Sequence, residues 1–426
     1  MPVKQKDLEK RKQHEVDQQV IDSLSQIDLG SMSLMSLLQF GGGLVLKHAV
    51  AAEITEYLGR SRYERSEEFK GYRNGYQATH FDTPVGQVKY DRPKVADAPN
   101  FKSKFHRSGM RRPEEFADSI TDMFINGIST RKIKDSLRAV AGEKVRLSRS
   151  SVSRITKRMR NEFGTWKNRS LSEVKAAYLF LDAIRIGMRM GGTTKDAVLL
   201  AYAILEDGTM ELLAIDIGHS ESDRSWGKFV EKLKARGLAD PLLVCSDGNQ
   251  GVINAIDSHF TTSYRQRCLK HREQNILDAV PKEEQGSVRT ALKSIFYGAT
   301  SLSQAKQFVA AFKRDFQKTY PTAVERLYAD LDQCLVFYMF PHHHWKRMRT
   351  SNKLERLNRE LRRRLDVIGR HPDEDGCLSL IYAVTIKYAA NQNGFKVDDL
   401  TKKLWADLRD RKIEMIAQLE LDLWAA

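Results

Sequence analysis

The sequence predicts an α/β protein, a mixed sheet flanked by helices. Residues 177–267 alternate strand and helix patterns in the order three strands, helix, strand, helix, strand. Two of those strands are apolar runs that meet an aspartate: Asp182 follows Tyr178-Leu-Phe-Leu181, and Asp247 follows Leu242-Leu-Val-Cys-Ser246. The stretches on either side, 113–170 and 270–345, carry the three- and four-residue apolar spacing of helices instead.

Taken in order, residues 1–28 are polar, and 31–58 are helical apart from a break at Gly41-Gly42-Gly43. Turn signals at Gly71-Tyr-Arg-Asn-Gly75 and Thr83-Pro-Val-Gly86, with alternation over 87–90, predict a small β-hairpin. Pro113 opens a helix that runs to Asn126 and stops at Gly127. Ser129 caps a second helix over 130–140, ended by Gly142, and Ser148 caps a third over 149–160. Strands follow at 177–190, 195–205 and 210–217, the last two joined by a hairpin turn at 206–209. Residues 222–236 form an amphipathic helix with Trp226, Phe229, Val230 and Leu233 inward. A fully apolar strand at 241–245, a helix at 251–260 and a short strand at 263–267 complete the sheet region. Residues 270–345 are helical throughout, and further helices are expected over 349–364, 373–390 and 398 to the C-terminus. The division that results is 1–58 helical, 59–112 a small basic β and loop region, 113–170 a helical module, 176–275 and 346–395 two parts of one α/β core, 276–345 an all-helical interruption, and 396–426 a final helix.

The formal charge is +15 and the pI about 9.5, which favours a polyanionic partner. Four cysteines (Cys245, Cys268, Cys334, Cys377) are scattered without pairing, as in a reducing compartment rather than a disulfide framework. No apolar signal core precedes residue 19 and no apolar run approaches membrane-spanning length, so an intracellular, membrane-free protein is expected. Residues 129–160 hold eleven Lys/Arg against two Asp/Glu in a helix, turn, helix layout, which suits a helix-turn-helix reader of DNA. Arg131, Lys132, Arg149, Ser151, Arg154, Lys157 and Arg158 are its candidate contacts with bases and phosphates. A second basic run, Arg349 to Arg364, places Leu354, Leu357, Leu361 and Leu365 on one helical stripe. Arg356, Arg359, Arg362 and Arg363 lie on the other flank with Glu355 among them, again facing a polyanion.

A carboxylate in or just past a buried strand is costly unless it is paired or metal-bound. In the predicted order the first and fourth strands can lie side by side and parallel, which would bring Asp182 and Asp247 together, and Glu355 would add a third carboxylate. Two Mg²⁺ ions, or Mn²⁺ in their place, relieve that repulsion and suit phosphodiester chemistry. Competing acids are Asp216, Glu206, Asp207, Glu221, Asp223 and Asp257; of these, Glu206 and Asp207 read as turn residues and Glu221 and Asp223 as a helix start. Cys268 and His271 have zinc-like spacing, but no second pair stands nearby, and with Asn275 they suit a structural role close to the DNA, while Arg267 beside them is a further candidate DNA contact.

These motifs stand in one order: Asp182-Ala, Gly218-His-Ser-Glu-Ser222 with Trp226, Leu233-Lys-Ala-Arg-Gly237, Ser246-Asp-Gly248, Arg267-Cys-x-x-His271-x-x-x-Asn275, and Thr350-Ser-Asn-x-x-Glu355-Arg-Leu-Asn-Arg-x-x-Arg-Arg-Arg364. Upstream stand Tyr63-Glu-Arg-Ser66, Gly71-Tyr-Arg-Asn-Gly75 and Gly127-Ile-Ser-Thr-Arg131. Together, over roughly residues 50–390, they resemble the bacterial Mutator-type insertion-sequence transposases. The resemblance implies an RNase H-like core of the DDE kind, with its acidic triad at Asp182, Asp247 and Glu355, its Cys/His signature at Cys268 and His271, and an all-helical insertion at 276–345. It also implies terminal inverted repeats and target DNA as partners, Mg²⁺-dependent cleavage and strand transfer, a homo-oligomer bridging two DNA ends, and a bacterial cytoplasmic, nucleoid-associated setting. Leu269 stands where an aromatic is common, Lys353 and Leu354 replace smaller and aliphatic residues, and His371-Pro372 replaces a Phe-Pro pair. None of these departures removes a carboxylate. The alternative is a cleavage-inactive, transposase-derived DNA-binding regulator.

Overall fold

The computed structural model describes residues 32–64, 68–107, 109–126, 128, 130–141, 149–187, 195–218, 223–349, 352–368, 374–390 and 394–425, together with Ser25 and Gly30. The chain divides into two units, 1–155 and 156–426.

In the first unit, helix α1 (Leu34–Leu58) runs unbroken through Gly41, Gly42 and Gly43, against the expected break. The glycines serve packing instead. A Cβ on Gly43 would lie 2.6 Å from the Lys89 carbonyl oxygen, so its absence lets the helix lie against the hairpin backbone. Val50, Ile54 and Leu58 are buried there with Val95 and Phe101. By length and composition α1 also meets the requirement for a membrane span, which the sequence reading did not anticipate. Its few buried residues are Gly43, Val50, Ile54 and Leu58, while Leu34, Leu38 and Val45 are exposed. The hairpin is longer than expected: β1 (Tyr72–Thr83) pairs antiparallel with β2 (Gly86–Ala96). The Gly71–Gly75 run is thus not a turn. It enters β1, and Gly75, at φ +63°, sits in the register shift between Arg73 and Tyr76, a bulge that glycine tolerates. Helices α2 (Glu114–Ile125) and α3 (Thr130–Ala141) follow, joined by Phe116, Ile120, Ile133 and Leu137. Helix α4 (Arg149–Lys167) comes next. The expected signals at Gly127, Ser129, Gly142 and Ser148 lie outside the described residues.

The second unit is built on one mixed sheet. Its strands are β3 (Ala176–Gly187), β4 (Lys195–Leu205) and β5 (Met210–Gly218), then β6 (Leu243–Ser246) and β7 (Tyr264–Arg267), in spatial order β5-β4-β3-β6-β7. The first three are antiparallel neighbours, whereas β6 and β7 run parallel to β3. Helices α5 (Asp223–Ala235) and α6 (Gln250–His259) supply Trp226, Phe229, Val230, Leu233, Val252 and Ile256 to a core shared with Leu179, Leu181 and Val244. The mixed α/β architecture is therefore as expected, with boundaries shifted by a few residues.

From Leu269 to Met348 every described element is helical: α7 (Leu269–Leu277), α8 (Gln285–Lys293), α9 (Leu302–Phe316), α10 (Pro321–Ala329), α11 (Leu331–Leu335) and α12 (His342–Met348), with short tight turns between. Helices α13 (Asn352–Ile368), α14 (Glu374–Ala390) and α15 (Asp399–Ala425) close the chain. Side chains alternate along β3, so Tyr178, Phe180 and Asp182 face opposite to Leu179 and Leu181. Tyr178 anchors that second face. Trp405 Nε1 donates to its hydroxyl at 2.8 Å, the hydroxyl lies 2.8 Å from His344 Nδ1, and His344 Nε2 lies 3.0 Å from the Lys396 carbonyl. Read as a chain, Tyr178 donates to Nδ1 and the ring donates from Nε2, a neutral imidazole; burial lowers the pKa of His344 accordingly. Tyr178→Phe leaves two buried groups without a partner. It is expected to cost about 2–4 kcal/mol and, in thermal unfolding, to lower Tm by roughly 4–16 °C. A shift under one degree would remove Tyr178 from this role.

Candidate active site

The parallel register of β3 and β6 pairs Tyr178 with Leu243 and Phe180 with Cys245. Two residues further along each strand stand Asp182 and Asp247, so the two acids are level with one another where β6 ends. The β6–β7 pairing ends at Ser246 with Arg267, and the next residues are Asp247 and Cys268. Asp182, Asp247, Cys268 and His271 line one small cavity. The side-by-side parallel arrangement expected for the first and fourth strands is the one observed.

Asp182 is 7 % exposed. Asn358 Nδ2, from α13, donates to its Oδ2 at 2.8 Å, and the Ala183 amide donates to its Oδ1 at 2.9 Å. Burial pushes its pKa up to about 6; the Asn358 hydrogen bond and the His271 charge oppose that rise, and the Asp247 charge adds to it. His271 moves the same way, up to about 9, through its hydrogen bond with Cys268 and the neighbouring carboxylate charges, which outweigh burial. An imidazolium beside two carboxylates is a built-in counter-charge. Asp247 is held by its own turn. Its Oδ1 accepts from the Asn249 amide at 3.1 Å, and Asn249 in turn caps α6 through Gly251.

Under this turn lies Arg267, which the sequence reading placed among the DNA contacts. It is buried, and its Nε is 3.0 Å from Asp330 Oδ2. Asp330 Oδ1 is 2.6 Å from Arg272 Nη2. Oriented to suit its neighbours, the Asn275 amide accepts from Arg267 Nη2 at 3.2 Å and donates to the His271 carbonyl at 3.2 Å. A Cβ on Gly248 would fall inside the Arg267 guanidinium, so glycine is required for the arginine to lie against the Asp247 turn. Arg267 is corrected from a surface cation to a buried brace, because its charge is matched by Asp330. The Arg267–His271–Asn275 signature is one connected network.

Glu355 lies on α13 one turn before Asn358; its side chain lies outside the described residues. Arg349, which ends α12, is held from two sides. The Leu269 amide donates to the Arg349 carbonyl at 2.9 Å, and the Arg349 guanidinium stacks over Phe337 and Trp345 at 4.5 and 5.2 Å. Leu357, Leu361 and Leu365 are buried as the stripe predicts.

A profile of the family described as "Transposase, Mutator family" matches residues 17–393. This chain belongs to that family. It is 32% identical over 348 residues to the transposase for insertion sequence element ISRM5 of Rhizobium meliloti (strain 1021), covering 82% of this chain and 86% of the relative. It is 32% identical over 333 residues to the transposase for IS256 in transposon Tn4001 of Staphylococcus aureus, covering 78% and 84%. With the IS406 transposase of Burkholderia multivorans (strain ATCC 17616 / 249) it shares 30% over 342 residues, covering 80% and 87%.

In this Mutator-family chain the basic flank of α13 is exposed at Arg356, Arg359, Arg362 and Arg363. Arg363 also binds Glu360, at 2.9 Å, and holds the Glu360 carboxyl down, at about 2, together with Arg364. Lys132 and Lys157 are exposed on α3 and α4, whereas the side chains of Arg131, Arg149, Ser151, Arg154 and Arg158 lie outside the described residues. Among the described residues no three His, Cys, Asp or Glu side chains gather as a metal cluster. Of the histidines that could fold back toward Cys268 and His271, His344 is engaged with Tyr178 and Lys396. A hard cation fits differently. Two level carboxylates offer oxygen donors, Asn358 Oδ1 is buried without a hydrogen-bond partner, and residue 355 stands one turn away. The sequence reading missed Asn358, Asp330 and the Gly248–Arg267 contact. Only Asn358 left a trace, as an amide flanked by core leucines.

Proposed function

We propose that this chain is a DDE transposase that binds the terminal inverted repeats of its insertion sequence, cleaves at the element ends and joins them to target DNA. The observation that carries this reading is the pair of acids, Asp182 and Asp247, level on adjacent parallel strands, with the Glu355 helix hydrogen-bonded to Asp182. The strand order, three antiparallel then two parallel, supports an RNase H-like core made of 176–275 and 346–395, with 276–345 as its helical insertion. Residues 113–170 act as the helix-turn-helix reader, and the exposed arginines of α13 follow the phosphate backbone beside the acids.

Asp182, Asp247 and Glu355 would hold two Mg²⁺ or Mn²⁺ ions. Such ions supply charge neutralisation at phosphorus and a more acidic attacking hydroxyl. The protein's own part is positioning. The Asp247 turn is fixed by Asn249 and Arg267, Asp182 is fixed by Asn358 and Ala183, and the basic flank orients the scissile phosphate. Cleavage is attack of a water oxygen on phosphorus with departure of the 3′-oxygen. Joining is attack of that 3′-hydroxyl on a target phosphorus with departure of the target 3′-oxygen. Bridging two ends calls for more than one copy of the chain, in the bacterial cytoplasm where the element DNA lies.

The test is cleavage of a labelled DNA carrying the cognate element end, with Mg²⁺, by wild type and Glu355→Gln. Cleavage by wild type alone, with equal binding of the end by both, is expected, and binding should weaken steeply with salt. Binding without cleavage by either protein, over a range of Mg²⁺ and Mn²⁺, would replace the enzyme by a DNA-binding regulator.

A further inference from the structure

Asn358 stands where α13 otherwise buries leucine, between Leu357 and Leu361, and it is 8 % exposed. Half of its amide is accounted for, since Nδ2 donates to Asp182 Oδ2 at 2.8 Å. The other half is not, because Oδ1 is buried without a hydrogen-bond partner. A buried acceptor with nothing in the protein to accept from is rare, and a bound ion is one of its ordinary partners. Apolar packing cannot be the reason for an amide here, because leucine would fill the stripe without stranding an oxygen. The neighbours point to a cation as the partner of this oxygen: Asp182 is in contact with the amide, Asp247 lines the same small cavity as Asp182, and residue 355 lies one helical turn away.

We propose that Asn358 is a positioning residue of the acid site, with Nδ2 fixing the Asp182 carboxylate and Oδ1 serving as an oxygen donor for the divalent cation. This deepens the transposase reading and rests on it. Amides are suitable hard donors for such ions. The residue also couples α13 to β3, so the helix that carries Glu355 is set against Asp182 before any ion arrives, as neighbours of metal ligands commonly do.

The experiment is Mn²⁺ binding to the full chain by isothermal titration calorimetry, without DNA, together with Tm and end cleavage across Mn²⁺ concentrations. Asn358→Ala is expected to weaken Mn²⁺ binding roughly tenfold and to raise the half-saturating Mn²⁺ for cleavage by the same factor, so that high Mn²⁺ restores rate. Asn358→Asp keeps an oxygen donor and should bind Mn²⁺ at least as tightly as wild type. Asn358→Leu guards against a folding artefact, since it refills the leucine stripe that Asn358→Ala empties, so the two should lose Mn²⁺ affinity alike while differing in Tm, a divergence that packing alone does not produce. Asp182→Asn is the control. Unchanged Mn²⁺ affinity in Asn358→Ala and Asn358→Leu, with loss in Asp182→Asn, would overturn the role of Asn358 and leave the acid site standing. Unchanged affinity in Asp182→Asn as well would overturn the acid-site reading itself.

Discussion

Asp182→Asn should abolish DNA cleavage, by roughly 10³-fold or more, or about 4 kcal/mol of transition-state stabilisation, while making the protein more stable at pH 7 in the absence of divalent ions. The two effects have one cause. Asp182 is buried, and burial raises its carboxyl from 3.8 to about 6. Between those values the folded chain holds a proton that the unfolded chain has released. Stability therefore falls as pH rises from about 4 to about 6, and the loss persists above pH 6. Asparagine carries no such charge, so the variant should gain on the order of 2 kcal/mol at pH 7 and lose that part of the pH dependence. Below about pH 4 the two proteins should converge. Asp247→Asn should match the loss of cleavage, and both variants should bind the element end as wild type does. Cleavage within tenfold of wild type would take Asp182 out of the catalytic set, and a destabilised variant at pH 7 would mean that its carboxylate is compensated in the folded chain.

The acids were legible in the sequence because an aspartate interrupting Tyr178-Leu-Phe-Leu181, or ending Leu242-Leu-Val-Cys-Ser246, violates the pattern of a buried strand. The strand order then determined which acids could meet. Glycines were misread where their role is tertiary. The sequence around Gly41–Gly43 shows a helix breaker, while the structure shows a helix that needs Gly43 to reach the Lys89 carbonyl. Gly75 in the same way marks a bulge within β1 rather than a turn. Arg267 was misplaced because its anion, Asp330, is the turn residue between α10 and α11, far along the chain. No local pattern links residues brought together by that distance. Asn358 was hidden inside a run of arginines, where one amide attracts no notice until Asp182 is found against it.

Asp330 is also the subject of the second large effect. Asp330→Ala should destabilise the chain by about 3 kcal/mol and lower Tm by roughly 6–12 °C, because it strands two cations at once. Arg267 and Arg272 have side chains only 6% and 9% exposed, and both are paired to this one carboxylate. Burial already lowers the pKa of Arg272, and Arg267 lowers it further, so without Asp330 the two guanidinium groups are left to repel each other. Asp330 itself is 24% exposed, which keeps the expected cost at the lower end of the range for a broken buried pair. The functional loss should exceed the loss of stability. Arg267 lies against Gly248, and its displacement moves the turn that presents Asp247. Exchanging Arg267, Arg272 and Asp330 together for apolar residues of similar volume separates the two contributions. Such exchanges commonly restore stability, yet here they should leave cleavage low, because nothing then braces the Asp247 turn. Gly248→Ala should reproduce the cleavage defect from the opposite side by displacing the guanidinium directly. If the apolar triple variant cleaved as well as wild type, the Arg267–Asp330 network would hold the fold together without shaping the site.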